Sequence, residues 1–181
     1  MSATPANILL AVGGGIASYK SAVLCSRLVQ LGHDVRVVMT KSAEQFVGSA
    51  TFSALSGQQV ATATFDSDHY PTGAHIELAK GLDLMVVAPA TANLLGKLAH
   101  GIADDLTSTL YLQRECKVLL APAMSSSMWA KPSVQRNIAQ LQQDGCHFVG
   151  PDEGWLSCRA KGKGRMSEPE AILSNAIALI A

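Results

Sequence analysis

Apolar runs and helical stretches alternate along the chain, and the first run sets the pattern. Ile8 to Val12 are apolar without alternation and stop at three glycines, as a strand buried on both faces does. Ile16, Val23, Leu24, Leu28 and Leu31 recur near helical spacing and predict a helix over 16–31, with Gly32 at its C-terminal end. Val35 to Met39 predict the second strand. Ser42 is placed to cap a helix through Phe46 to Leu55 that Ser56-Gly57 stops, and Gln59 to Thr64 form a weaker strand candidate. Asp66 to Ala74 are rich in turn formers and predict a loop leading into His75-Ile76-Glu77-Leu78.

The second half repeats the alternation. Leu82 to Ala88 read as a strand ended by Pro89, followed by Ala90-Thr91-Ala92-Asn93 and a helix towards Ala99. A helix over Asp104–Leu112, a strand over Lys117–Ala121 ended by Pro122, and a serine-rich turn to Trp129 come next. Pro132–Gln143 predict a helix with proline in its first turn, Cys146–Val149 the last strand, and Glu168–Ile180 the last helix. Strands alternating with helices imply an α/β fold, a Rossmann-like or flavodoxin-like doubly wound parallel sheet. With no repeat and no linker, residues 1–181 are expected to form a single domain. Gly13–Gly15, Thr40–Ser42, Ala88–Asn93 and Pro122–Trp129 all follow the carboxyl ends of predicted strands, where such folds bind ligands.

The glycine turn narrows the ligand. Three glycines let a ligand approach the bare backbone, and the helix start behind them offers amides to a phosphate. The Walker spacing is absent. The dinucleotide fingerprint is met at Gly13 and Gly15 but has Ser18 at its third glycine, and the second strand ends in Thr40-Lys41-Ser42, with no carboxylate for a ribose. A mononucleotide phosphate fits this better than NAD, and a turn that merely joins strand to helix is the alternative.

Charge and composition exclude other classes. With 14 basic and 14 acidic residues the net charge is zero, which gives no field favouring nucleic acid or an anionic membrane. The longest apolar stretches, about 82–92 and 118–124, are too short to span a bilayer, and MSATPAN carries no signal segment, so the chain reads as cytoplasmic. Cys25, Cys116, Cys146 and Cys158 form no CxxC pair and have no metal-ligand spacing with histidine; free thiols are expected, three of them in or near the core, and no metal. His33, His69, His100 and His147 read as solvent-exposed loop histidines.

The glycine turn with IASYK, His75-Ile76-Glu77-Leu78, APATAN from Ala88, PAMSSSMW from Pro122 and Gly164-Arg165-Met166 together resemble the FMN-dependent cysteine decarboxylases. That family includes the phosphopantothenoylcysteine decarboxylases of coenzyme A synthesis and the peptidyl-cysteine decarboxylases of lantibiotic maturation. The likeness runs in order from about Asn7 to Pro169 and is nearest to the stand-alone coenzyme A form. It implies FMN held by Gly14, Gly15, Ile16, Thr40, Ser42, Phe46, Thr91, Ala92, Asn93 and Ala123, with His75 as the catalytic acid/base. It places Ser125, Met128, Arg165 and Met166 at the substrate. In the family's chemistry the flavin oxidises the thiol carbon of a cysteine to a thioaldehyde, which then serves as the electron sink for decarboxylation to an enethiolate; here the implied substrate is a cysteine-containing small molecule. In the coenzyme A branch a cysteine on a mobile flap protonates the product, and Cys158 falls on that position. The implied reaction converts phosphopantothenoylcysteine to phosphopantetheine.

One position departs from the motif. The family has asparagine, expected on the substrate carboxylate, where this chain has Ser125. Three readings stay open: Ser125 or Ser126 with a backbone amide takes over, the residue was altered to trap a complex, or the chain binds FMN without decarboxylating. A peptidyl-cysteine substrate is the other alternative. The resemblance also implies a site between protomers of a homotrimer, sometimes gathered into dodecamers. A mean hydropathy of +0.21 with 15% charged residues suits such assembly.

Overall fold

The computed structural model describes residues 5–181. Strand β1 (Asn7–Val12) lies inside a five-stranded parallel sheet, between the edge strand β2 (Asp34–Met39) and the central β3 (Leu84–Ala90), with β4 (Lys117–Pro122) and β5 (His147–Phe148) beyond β3. The lack of alternation in β1 is explained by its two covered faces. Ile8, Leu10 and Val12 enter one core with α1 (Ser18–Gln30), α2 (Ser49–Ser56) and α8 (Pro169–Ile180). Leu9 and Ala11 enter a second core with α3 (Ala74–Ala79), α4 (Ala92–Ala99), α5 (Leu106–Gln113) and α7 (Pro132–Gln143). The chain steps from β1 to β2 on one side and returns to β3 on the other, so the switch point of this doubly wound sheet lies between β1 and β3.

Several local expectations change. Helix α1 starts at Ser18, and its buried face is Ser18, Lys20, Ser21, Leu24, Cys25 and Leu28; Ile16, Val23 and Leu31 are exposed. The inward face is polar at its start because it meets the main chain of other turns. The helix expected from Ser42 is broken by the extended backbone of Gly48 into a single 3-10 turn at Ala43–Gln45 and then α2, and Thr40 Oγ1, not Ser42, accepts the Ala43 amide at 3.2 Å. Gly57 closes α2 in the left-handed conformation as expected. Of 59–64 only Ala61 pairs, with Val38.

Pro89 lies within β3, not after it. Pairing resumes beyond an irregularity, and Ala123 N–H donates to Ala90 O at 3.1 Å. The serine-rich turn contains one turn of helix, α6 (Ser126–Trp129). Residues 152–165 hold a hairpin absent from the sequence reading, β6 (Asp152–Trp155) against β7 (Lys161–Arg165), because KGKGR has no apolar alternation to announce a strand. His33 is buried, contrary to expectation, and its Nδ1 accepts the Ala6 amide at 3.2 Å. Cys25 and Cys146 are buried, Cys116 is partly so and Cys158 is exposed, all as free thiols. Among the described residues no helix is long and apolar enough to cross a membrane.

Candidate functional site

The polar start of α1 binds together three segments that lie far apart in sequence. Ser18 Oγ donates within the glycine turn, 2.8 Å from Gly13 O and 2.6 Å from Gly15 O. Ser21 Oγ donates to Ala88 O at 2.6 Å, fixing the end of β3, and Lys20 Nζ donates to Met166 O at 2.9 Å. The glycines are needed for contact between turns. A Cβ on Gly13 would stand 2.3 Å from Pro89 O, and one on Gly14 would stand 2.3 Å from Ser42 Cβ. Gly15 has no such neighbour nearer than 3.8 Å, so its open side faces a cavity.

Two cavities flank this turn. The larger, about 380 Å³, is lined by Gly15, Ile16, Tyr19, Lys20, Ala123, Met124, Ser125, Leu156, Cys158, Arg165 and Met166, among others. The smaller, about 260 Å³, is polar and lined by Gly14, Thr40, Lys41, Ser42, Thr91, Asn93, Leu94, Lys97 and Asp105. Thr91 caps α4 by accepting the Leu94 amide at 3.3 Å. Lys97 is held between Asp104 at 2.6 Å and Asp105 at 2.7 Å. Burial alone pushes the Asp105 carboxyl upward, but hydrogen bonds from Lys97 and Ser108 outweigh it and hold the group below the ordinary carboxylate range.

The hairpin forms one wall of the larger cavity. Its tip is closed by Leu156 N–H donating to Ala160 O and Arg159 N–H donating to Leu156 O, each at 2.9 Å, and Cys158 sits exposed in that turn. Of the three serines after Met124, Ser125 lines the cavity. It caps α6, and its Oγ lies 3.1 Å from Ser127 Oγ. Ser126 faces the hairpin instead, its Oγ buried without a partner where a Cβ on Gly162 would lie 2.2 Å away.

Most of the residues singled out in the sequence therefore meet around the glycine turn: Gly15, Ile16, Ala123, Ser125, Cys158, Arg165 and Met166 in one cavity, and Gly14, Thr40, Ser42, Thr91 and Asn93 in the other. Phe46, Ala92, Met128 and His75 line neither. His75 is on α3, in the layer across the sheet from α1 and α8, with its ring folded over Gly73. Lys20, Tyr19, Met124 and Leu156 escaped the sequence reading. Lys20 stood within the quoted IASYK stretch, and a lysine on the inward face of a helix was the signal.

The model of the family described as Flavoprotein matches residues 2–181. The chain belongs to that family. This flavoprotein is 51% identical over 167 residues to the coenzyme A biosynthesis bifunctional protein CoaBC of Bacillus subtilis, a match that covers 92% of the chain and 41% of that relative. The chain thus spans less than half the length of the curated relatives it matches. Among solved structures, the FMN-dependent cysteine decarboxylase SpaF superposes with a TM-score of 0.84 at 33% identity, covering 99% of each chain. A PPC decarboxylase mutant complexed with pantothenoylaminoethenethiol gives 0.83 at 29% identity, covering 95% of this chain and 96% of the other.

Proposed function

We propose that this flavoprotein is an FMN-dependent decarboxylase that converts phosphopantothenoylcysteine to phosphopantetheine. The observation that carries the reading is the single cavity joining the open side of Gly15 to Ser125, Cys158 and Arg165. The residues present fit a flavin mononucleotide. The small polar cavity offers the hydroxyls of Thr40, Ser42 and Thr91 and the amide of Asn93 for a phosphate and polyol, and the larger one offers Ile16 and Ala123 as apolar wall for a ring. When bound, FMN would supply a reversible acceptor and donor of hydride, which makes the net exchange of carboxylate for hydrogen redox-neutral.

The chain's own residues do the rest. Ser125 Oγ donates to the substrate carboxylate, replacing the amide of the family motif with one donor on a shorter arm. The apolar wall of Ile16, Ala123, Leu156 and Met166 keeps water from the carboxylate and the thiol. Cys158, carried over the cavity by the hairpin, delivers the proton that replaces the lost carboxylate. Its presence favours the coenzyme A substrate over a peptide that stops at the enethiol.

His75, on α3, lines neither cavity of its own chain, and this supports a site completed by a second copy. Tyr19 and Val23 are 57% and 42% exposed four residues apart on α1, with Ile16, 60% exposed, just before the helix, an apolar surface of the kind such a contact needs. The assembly is a homotrimer, or a dodecamer into which such trimers gather. Equilibrium dialysis against FMN and NAD, followed by assay with phosphopantothenoylcysteine and with a cysteine-ended peptide, tests the reading. FMN retention and turnover of the first substrate are expected; no FMN uptake would end it.

A further inference from the structure

The cation at the root of the hairpin has no part in the chemistry above. Lys20 is 5% exposed on α1. A lysine is rarely so buried unless its charge is compensated. Glu168 Oε1 lies 3.0 Å from its Nζ, and Met166 O takes a second proton at 2.9 Å. The same Glu168 oxygen receives Arg165 Nη2 at 2.5 Å. Glu168 is the N-cap residue of α8, yet its side chain does not cap that helix and turns to the two cations instead.

Met166 is the first residue after β7 and is 1% exposed. Two residues before it, Gly164 O accepts the Met124 amide at 2.9 Å. The exit of β7 is thus held at two alternate carbonyls, one bound by the PAM segment and one by α1. Elsewhere β7 is attached mainly to β6, and a two-stranded ribbon is marginally stable alone. The lysine bond joins the helix behind the glycine turn to the exit of the strand that follows Cys158.

We propose that Lys20 is a positioning residue: it fixes the root of the β6–β7 hairpin to α1, so that Cys158 at the tip and Arg165 at the base are presented to the cavity beside the glycine turn. The functional half of this statement rests on the decarboxylase reading, whereas the anchoring half can be measured without substrate.

The experiment compares the wild-type chain with Lys20→Met, Lys20→Arg and Glu168→Gln. Amide hydrogen exchange over 152–165 and tryptic cleavage after Arg159, Lys161 and Lys163 report hairpin opening. Both should rise about tenfold or more in Lys20→Met while exchange in β1 and β3 stays at the wild-type level. Lys20→Arg should restore most of the protection. With phosphopantothenoylcysteine, Lys20→Met should still release carbon dioxide but accumulate the enethiol, as Cys158→Ser should. Unchanged exchange over 152–165 in a folded Lys20→Met protein would overturn the proposal. If that variant unfolds, Glu168→Gln decides, since it removes one half of the anchor while keeping shape: local loosening supports the proposal and none overturns it. A wild type without decarboxylase activity would refute the functional reading and leave the exchange result to judge the anchor.

Discussion

Met124 and Gly164 fix one another at van der Waals range. The Met124 amide donates to Gly164 O at 2.9 Å, and Gly164, at φ +144°, brings its Cα so close that a Cβ would stand 2.3 Å from Met124 O. The hairpin lies on the PAM segment only because this position has no side chain.

Gly164→Ala should therefore lift β7 from its seat. Backbone strain at such a φ costs about 1–3 kcal/mol, and the clash with Met124 adds to it. A fall in melting temperature with faster tryptic cleavage at the hairpin is expected. An unchanged melting temperature and cleavage rate would show that the contact is dispensable.

A site shared between copies makes a subunit-mixing prediction. His75→Asn and Cys158→Ser chains, each unable to form phosphopantetheine alone, should on reassembly regain about a quarter of the wild-type rate, because hybrids pair an intact His75 with an intact Cys158 of another copy. No recovery in assemblies shown by mass to be mixed would place both residues in one chain's site.

His33 predicts an acid limit to stability. Burial holds its pKa below the ordinary histidine value, and Nδ1 accepts the Ala6 amide only while neutral. The unfolded chain binds the proton more readily, so the contribution is full above about pH 6.5 and is lost as pH falls through the depressed folded value. Between about pH 7.5 and pH 5 the wild type should lose more melting temperature than His33→Asn, whose amide oxygen still accepts but does not titrate. Parallel curves for the two proteins would contradict this.

Ser125→Asn tests the departure from the motif. Asparagine is as good an N-cap for α6 as serine, so the melting temperature should hold. A better-placed donor to a carboxylate is worth about 1.5–3 kcal/mol, and kcat/KM should rise about ten- to a hundredfold. No gain would mean that serine already suffices.

The sheet was legible in the sequence because strands buried on both faces read as unbroken apolar runs, β1 and β3 above all. The convergence of the four turns was legible too, because topology alone puts them on one rim. The α1 face was read correctly at Leu24 and Leu28 and misjudged at Ile16, Val23 and Leu31, which are exposed. Its inward positions 18, 20 and 21 are polar, satisfied by main-chain groups from distant segments, and no local periodicity encodes those partners. The hairpin was invisible for a related reason: β7 is held by carbonyls and by glycines that allow close approach, not by an apolar face. His33 was misassigned because its partner, the Ala6 amide, is 27 residues away.

The most direct measurement is the product formed when the purified, FMN-loaded protein is incubated with phosphopantothenoylcysteine and the mixture is resolved by mass spectrometry. The account predicts loss of carbon dioxide with accumulation of phosphopantetheine, and the enethiol instead in Cys158→Ser. Unchanged substrate with both the wild type and Ser125→Asn would contradict it.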